Sequence, residues 1–411
     1  MKADTVILWI LVVVLALVGG VSLVNYLTVH PLHMSAHLAL ALLSVFLLVV
    51  LIALGFRGRQ LALAIVATVV IFGLGYTLRT QAVLAREDSR PIPELVRRPG
   101  DPGDGHIAVV YFTHGEPETY DPIGWLNQFR EFDEQEIPFV PLVARPFFIY
   151  QLRNAYLKVG QSHHRQMHLQ MGKRLEEVLH AEGYPDLKVY TSFLDDEPRP
   201  DAALIQALNE GASHIVVAEV FVSISNHTAE GEELIHEVGA ETYGATIAFT
   251  GPFWDSETLH RAFLEKANAA IGDTDPAKVG VLLVGHGQPD EWDVEFPTET
   301  EHELEFRRRI LELLAANGYT REHMNLAWME FKQPKPAVIV EELVARGVEK
   351  IIYFSAAISA DSIHSQYDVP ELVHKAQVPT DFPLINLGAW NDHPLVIEAI
   401  KERVLAQIKP Q

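Results

Sequence analysis

Three apolar stretches, Thr5 to Asn25, Ala36 to Phe56 and Leu61 to Leu78, open the chain, and none of them contains Asp, Glu, Lys or Arg. Each approaches the roughly 20 residues that carry a helix across a bilayer. One such stretch behind Lys2 would read equally well as a secretory signal. Two more follow without an evident small-residue cleavage site, so the pattern predicts three spanning helices and a membrane anchor over residues 1–84. Three spans put the amino terminus and the Arg57-Gly-Arg59 turn on one side and the rest of the chain on the other. Lys2, Arg57 and Arg59 compete with Arg79, Arg86, Arg90, Arg97 and Arg98, a balance that leans toward a multi-pass protein whose soluble part faces the cytoplasm.

Beyond the anchor the pattern changes to alternating short apolar runs and amphipathic segments. Residues 85–105, rich in Pro and Gly, form a linker. A strand at Ile107 follows, then an irregular region to about Gly160. Next come a helix from Ser162 to Glu182, a strand at Leu187 to Thr191, a helix at Ala202 to Glu210 and a strand from His214 to Ile224. The second half repeats the order: a strand at Val279, a helix from Glu299 to Asn317, a strand at Leu326 to Met329, a helix from Ala337 to Arg346, a strand from Lys350 to Ile358 and a closing helix from Pro394. Such alternation predicts an α/β fold of two pseudo-repeated domains, 106–275 and 276–411, each a parallel sheet flanked by helices. From His114 to Gly211 is 97 residues, whereas the corresponding interval from His286 to Gly347 is 61. Much of the excess falls in Ile137-Pro-Phe-Val-Pro-Leu-Val-Ala-Arg-Pro-Phe-Phe-Ile-Tyr150, an apolar, Pro-rich segment suited to covering a hydrophobic ligand or touching a membrane.

Charge and cysteine content narrow the chemistry. Of 54 acidic side chains, all but Asp4 lie beyond residue 84, where they face 28 Lys and Arg. That surface excludes a nucleic-acid partner, whose phosphates demand a basic face, and suits a cation-handling protein. Cysteine is absent, which removes thiolate metal sites and a cysteine-ligated iron–sulfur cluster. A transition metal must then be met by His, Asp, Glu or Tyr.

Two phrases supply such ligands at strand ends: Phe112-Thr-His114-Gly-Glu-Pro117 and Val284-Gly-His286-Gly-Gln-Pro289. Open α/β sheets bind ligands at the carboxyl ends of their strands. If the segment after Ile358 turns helical, Asp361, His364, Asp368 and Glu371 line one face, an imidazole with a ladder of carboxylates. Imidazole with oxygen ligands suits Fe, Co, Ni or Zn. His114 mirrors His286, and His227, after the strand ending near Ile224, mirrors His364, so both join the candidates. No Gly-x-Ser-x-Gly elbow, His-Glu-x-x-His pair or phosphate-binding Gly-rich loop is present.

Over most of residues 105–411 the chain resembles the class II tetrapyrrole chelatases, which include ferrochelatases and the cobalt and sirohydrochlorin chelatases. Leu283-Val-Gly-His286-Gly-Gln-Pro289 resembles the catalytic strand end, and Tyr111 to Thr119 the first-strand signature, which in ferrochelatases normally has Gly or Leu in place of His114. Ser359-Ala-Asp361-Ser-Ile-His364-Ser-Gln-Tyr367-Asp368 resembles the second metal-site motif, and Asn386 to Pro394 the closing segment. The resemblance implies a membrane-anchored lyase that inserts a divalent metal, Fe²⁺ first, into a porphyrin, needing no cofactor beyond the substrate ion. His286 would be ligand and proton acceptor, and His364 would hold or deliver the ion with Asp361 and Asp368. Ferrochelatases usually carry glutamate at the position of His364, which points instead toward Co²⁺ or Ni²⁺ and a sirohydrochlorin-like ring. A non-catalytic tetrapyrrole or metal carrier on the same scaffold is the remaining alternative.

Overall fold

The computed structural model describes residues 3–137 and 140–408 and divides them into two compact units. The first joins residues 1–89 to 119–160; the second joins 90–118 to 161–411.

In the first unit, α1 (Ala3–Thr28), α2 (Pro31–Gly55) and α3 (Gly58–Leu84) are each long and apolar enough to cross a bilayer. Small residues let α1 and α3 approach closely. A Cβ built on Gly20 would lie 2.2 Å from the Phe72 carbonyl oxygen, so only glycine fits there. The same unit takes in the segment between Thr119 and Gly160, expected to be irregular. It is instead largely helical, as α4 (Ile123–Glu134) and α5 (Arg145–Val159). Two of its prolines sit at helix starts, where a missing N–H costs nothing: Pro122 caps α4 and Pro146 lies in the first turn of α5. Ile123, Leu126, Phe129 and Phe132 then fall on one buried face. Pro138 and Phe139 of the apolar segment lie outside the described residues. The insertion is fixed to the three apolar helices through polar groups. The Tyr120 hydroxyl donates to the Thr28 carbonyl at 2.8 Å and that of Tyr76 to the Val143 carbonyl at 2.7 Å. Arg153, fully buried, donates to the carbonyls of Tyr26 and of Val29 (3.1 Å) at the end of α1, with its guanidinium over the Tyr26 and Tyr150 rings.

The second unit holds two four-stranded, wholly parallel sheets built to one plan. The first contains β1 (Ile107–Thr113), β2 (Lys188–Phe193), β3 (His214–Glu219) and β4 (Thr246–Phe249) in the order β2-β1-β3-β4. The second contains β5 (Val279–Gly285), β6 (Met324–Trp328), β7 (Lys350–Ser355) and β8 (Leu384–Asn386) in the order β6-β5-β7-β8. The corresponding pairs are in step: Val110 faces Tyr190 and Val217, and Leu282 faces Asn325 and Tyr353. β3 and β7 end several residues before Ile224 and Ile358, because the chain there leaves the sheet to build the turns that carry His227 and His364.

Helices cover both faces, as the continuous apolar strands require. They are α6 (His164–Ala181), α7 (Pro200–Asn209), α8 (Asn226–Glu237) and α9 (Glu257–Ile271) in the first half. In the second they are α10 (Trp292–Glu295), α11 (Pro297–Ala316), α12 (Pro336–Ala345), α13 (Val369–His374) and α14 (Pro394–Ile408). One apolar core unites the halves, from Val109 and Tyr111 through Phe263 and Phe306 to Ile352 and Ile400. This two-sheet α/β architecture behind three long apolar helices is the one the sequence pattern predicts.

Candidate active site

The strand ends of the second unit bring the predicted histidines together. His114 is the residue after β1 and His286 the residue after β5. In each, Nδ1 meets the carbonyl of the next glycine, 2.9 Å to Gly115 and 2.7 Å to Gly287. A carbonyl only accepts, so Nδ1 carries the proton and Nε2 keeps its lone pair. Both glycines hold φ near +85°, at 88° and 84°, which is left-handed backbone. A Cβ on Gly115 would also meet Phe193 at 2.6 Å, and one on Gly287 the Glu330 carbonyl at 2.8 Å. The histidine-glycine pairs are therefore single devices for presenting an Nε2.

His364 opens a π-helical segment, His364–Asp368, that runs into α13. Such insertions recur at functional sites because the extra residue per turn redirects side chains. Here the His364 ring lies 5.6 Å from that of His286, centroid to centroid, and Nδ1 is 2.8 Å from Asp368 Oδ2. The two rings have opposite electrostatics. Burial, with smaller contributions from His364 and His114, lowers the His286 pKa to about 3. Burial acts the same way on His364, but the hydrogen bond and charge of Asp368, helped by Glu330 and Glu116, outweigh it and raise the pKa to about 9. At neutral pH the site thus pairs a neutral imidazole with an imidazolium–carboxylate couple.

The other predicted residues divide clearly. Asp361 accepts from Ser365 Oγ (3.0 Å), the Ala389 N–H (2.9 Å) and Asn391 Nδ2 (2.9 Å), so its carboxylate ties the π-helical segment to the loop before α14. Glu371 is exposed in the first turn of α13. His227, in the first turn of α8, meets the His114 ring edge-on at 4.6 Å. His164 and His168 face inward, where His168 Nδ1 lies 2.7 Å from the Tyr111 hydroxyl. Among the described residues no group of three or more His, Asp or Glu could hold a metal ion by itself.

Three carboxylates that the sequence reading passed over complete the surroundings. Glu116 accepts from Ser162 Oγ and from the Ile363 N–H at 2.9 Å, and burial raises its pKa. The Glu330 N–H donates to the His286 carbonyl at 3.0 Å, and burial likewise raises its side-chain pKa. Glu303, 4% exposed, accepts the His286 and Gly287 N–H groups and pairs at 3.6 Å with Arg307, whose Nη1 donates to the Ala327 carbonyl at 2.7 Å. Carboxylates 116 and 330 follow β1 and β6 closely, a position that marks them as site residues once the strands are assigned.

A sequence model of the ferrochelatase family matches residues 106–408. The chain belongs to the ferrochelatase family. Tetrapyrrole metal chelation is accordingly its class of chemistry. No curated protein sequence matches the chain. Among solved structures it is similar to SirB from Bacillus subtilis with Fe³⁺, at 15% identity and a TM-score of 0.47, covering 74% of this chain and 95% of that one. It is also similar to the sirohydrochlorin chelatase SirB from Bacillus subtilis subspecies spizizenii in complex with cobalt, at 13% identity and a TM-score of 0.45, with coverage of 74% and 95%. A third is CbiX, the terminal enzyme for biosynthesis of siroheme in denitrifying bacteria, at 16% identity and a TM-score of 0.42, with coverage of 73% and 98%.

Proposed function

We propose that the protein is a membrane-held chelatase that inserts Fe²⁺ into a porphyrin such as protoporphyrin, as a step in heme formation. The observation that carries this reading is the pairing of His286 with His364 and Asp368 at the ends of β5 and β7, 5.6 Å between the rings. Insertion must bind a dication and release two pyrrole N–H protons. Neutral His286, with Nε2 free, is placed to take one of them and, being weakly basic, pass it on to solvent, which also receives the second pyrrole proton and the proton displaced from His364. His364 and Asp368 form the ion's other contact: an arriving dication displaces the proton that His364 shares with Asp368, and Asp368 keeps the local charge balanced. Glu116 and Glu330 add negative potential that draws the cation in. With no closed cage of protein ligands among the described residues, the ring nitrogens are needed to complete the coordination, as release into a product demands. Helices α1–α3 hold the enzyme in the bilayer, where a lipophilic ring is concentrated, with its soluble part toward the cytoplasm.

A second metal and ring have one specific observation in their favour. An imidazole at 364 is a softer ligand than the glutamate of the usual ferrochelatase pattern and suits Co²⁺ or Ni²⁺ with a many-carboxylate ring. Anaerobic absorbance assays of the full-length protein in detergent, offering protoporphyrin or sirohydrochlorin with Fe²⁺, Co²⁺ or Ni²⁺, decide between them. Multiple turnovers with protoporphyrin and Fe²⁺ are expected, reduced roughly 10²–10⁴-fold in His286→Ala, the range for losing a proton acceptor. Turnover only with sirohydrochlorin would transfer the assignment to the second reading. Stoichiometric ring binding without insertion would make the protein a carrier.

A further inference from the structure

The repeat that builds the two sheets also duplicates the histidine pair. Residue for residue, His114 stands to β1 as His286 stands to β5, with the same Nδ1-to-glycine hydrogen bond and the same left-handed glycine behind it. His227 follows β3 by the turn that opens α8, and His364 follows β7 by the turn that opens the π-helical segment. The two strand orders superimpose term by term, so these four positions are two copies of one arrangement.

The ring separation of the first pair matches cation binding, and that of the second is slightly wider. A metal–imidazole bond of about 2.0–2.1 Å puts each ring centroid roughly 3.2 Å from the ion. Two such rings at angles between 90° and tetrahedral then have centroids about 4.5–5.2 Å apart. The observed separations are 4.6 Å for His114 and His227 and 5.6 Å for His286 and His364. The surroundings differ. His364 has its carboxylate partner within the same turn, whereas in the first pair Asp195 lies 3.6 Å from His114 Nδ1, behind the ring nitrogen already given to Gly115. Trp292 packs edge-on against His227 at 6.2 Å. The side chain of His114 is 44% exposed and so open to an arriving ion.

We propose that His114 and His227 form a second divalent-cation position, so that each half of the repeat holds one ion through an imidazole pair. The ion is of the borderline class that imidazole prefers, Fe²⁺, Co²⁺, Ni²⁺ or Zn²⁺, with water or ring nitrogens filling its remaining positions. This inference rests on reading His286 and His364 as the chelating pair of the other half.

Co²⁺ is the probe, titrated anaerobically into the metal-free full-length protein in detergent without tetrapyrrole, with equivalents counted calorimetrically and ligation followed by visible absorption. The expected result is two equivalents for the wild type and one for each of His114→Gln/His227→Gln and His286→Gln/His364→Gln. One equivalent in the wild type, undisturbed by the first double substitution, overturns the proposal. So does one equivalent abolished by either double substitution, which would mean a single shared site. A variant that fails to fold is bypassed in the wild type, where Zn²⁺ should protect His114 and His227 as well as His286 and His364 from acylation by diethyl pyrocarbonate. Absence of protection at 114 and 227 counts against the second position. Failure here is separable from failure of the proposed function: turnover with one bound equivalent leaves the chelatase without a second position, and two equivalents without turnover leave two cation positions in a protein that is not a chelatase.

Discussion

Glu219 ends β3 in the core, 3% exposed, with Oε2 accepting the Gly251 N–H at 2.9 Å. Burial, together with a hydrogen bond to Glu232 and that residue's charge, raises its pKa to about 8. A carboxyl whose folded pKa exceeds its unfolded value holds its proton more tightly when folded, so its stabilising contribution is complete below about pH 4.5 and is lost as pH rises through 8. Stability measured by thermal unfolding should therefore decline over that window. Glu219→Gln, which keeps an acceptor for Gly251 and gains a donor for Glu232, should flatten the decline by an amount on the order of a few kcal/mol. At the candidate active site the same logic applies to His364. Asp368→Asn removes the charge that opposes burial, and imidazole NMR should find the His364 pKa well below its present value of about 9. His286, His364 and Asp368 were legible from sequence because local signals mark them: a strand, a glycine, a proline, then helical spacing. Glu116, Glu330 and Glu303 were not assigned, because what makes them part of the site is a neighbour distant in sequence, Ile363 for Glu116 and the His286 backbone for the other two.

Elements were read most securely where apolar periodicity decides them. The paired sheets and their helices follow the pattern closely, whereas the segment between Thr119 and Gly160 was misread as irregular. Its prolines look like breakers, yet Pro122 and Pro146 mark helix starts, and the apolar stripe of α4 mixes aliphatic Ile123 and Leu126 with aromatic Phe129 and Phe132. That segment packs against the bundle of α1–α3, whose own contacts depend on small residues. Gly20 lets α1 rest on the α3 backbone, since a Cβ there would fall 2.2 Å from the Phe72 oxygen and 2.8 Å from the Tyr76 nitrogen. Gly73 has open space where a Cβ would go. Gly20→Leu should consequently cost about 2 kcal/mol or more, read as a lowered unfolding temperature in detergent, while Gly73→Leu should be close to neutral. Equal loss in both variants would mean that helix propensity, not the close approach, sets the stability of the bundle.

At the scale of the whole molecule, chain order and compact units do not coincide. The insertion 119–160 leaves one unit and returns to it, and in between it belongs to the other. Its two ends nevertheless meet, because the Ser162 N–H donates to the Glu118 carbonyl at 3.0 Å and Gln166 Nε2 donates to Glu118 Oε1 at 2.8 Å. Those bonds lie inside the unit that carries both sheets, so they should survive excision of the intervening residues. The insertion's own polar anchors point the other way: the Tyr120 hydroxyl and the Arg153 guanidinium are satisfied by carbonyls at the end of α1. Deleting residues 1–84 alone therefore strands a buried cation and the apolar faces of α4 and α5, a combination that costs several kcal/mol and promotes aggregation. Deleting 1–84 together with 119–160, and joining Glu118 to Gln161 by a short Gly-Ser linker, removes the demand along with its supplier. The expected outcome is that the single deletion requires detergent to stay in solution, whereas the double deletion remains soluble without it and melts in one cooperative transition by calorimetry. Solubility of the single deletion with α4 and α5 still protected from proteolysis would show that the insertion is held by its own packing and only leans on the anchor.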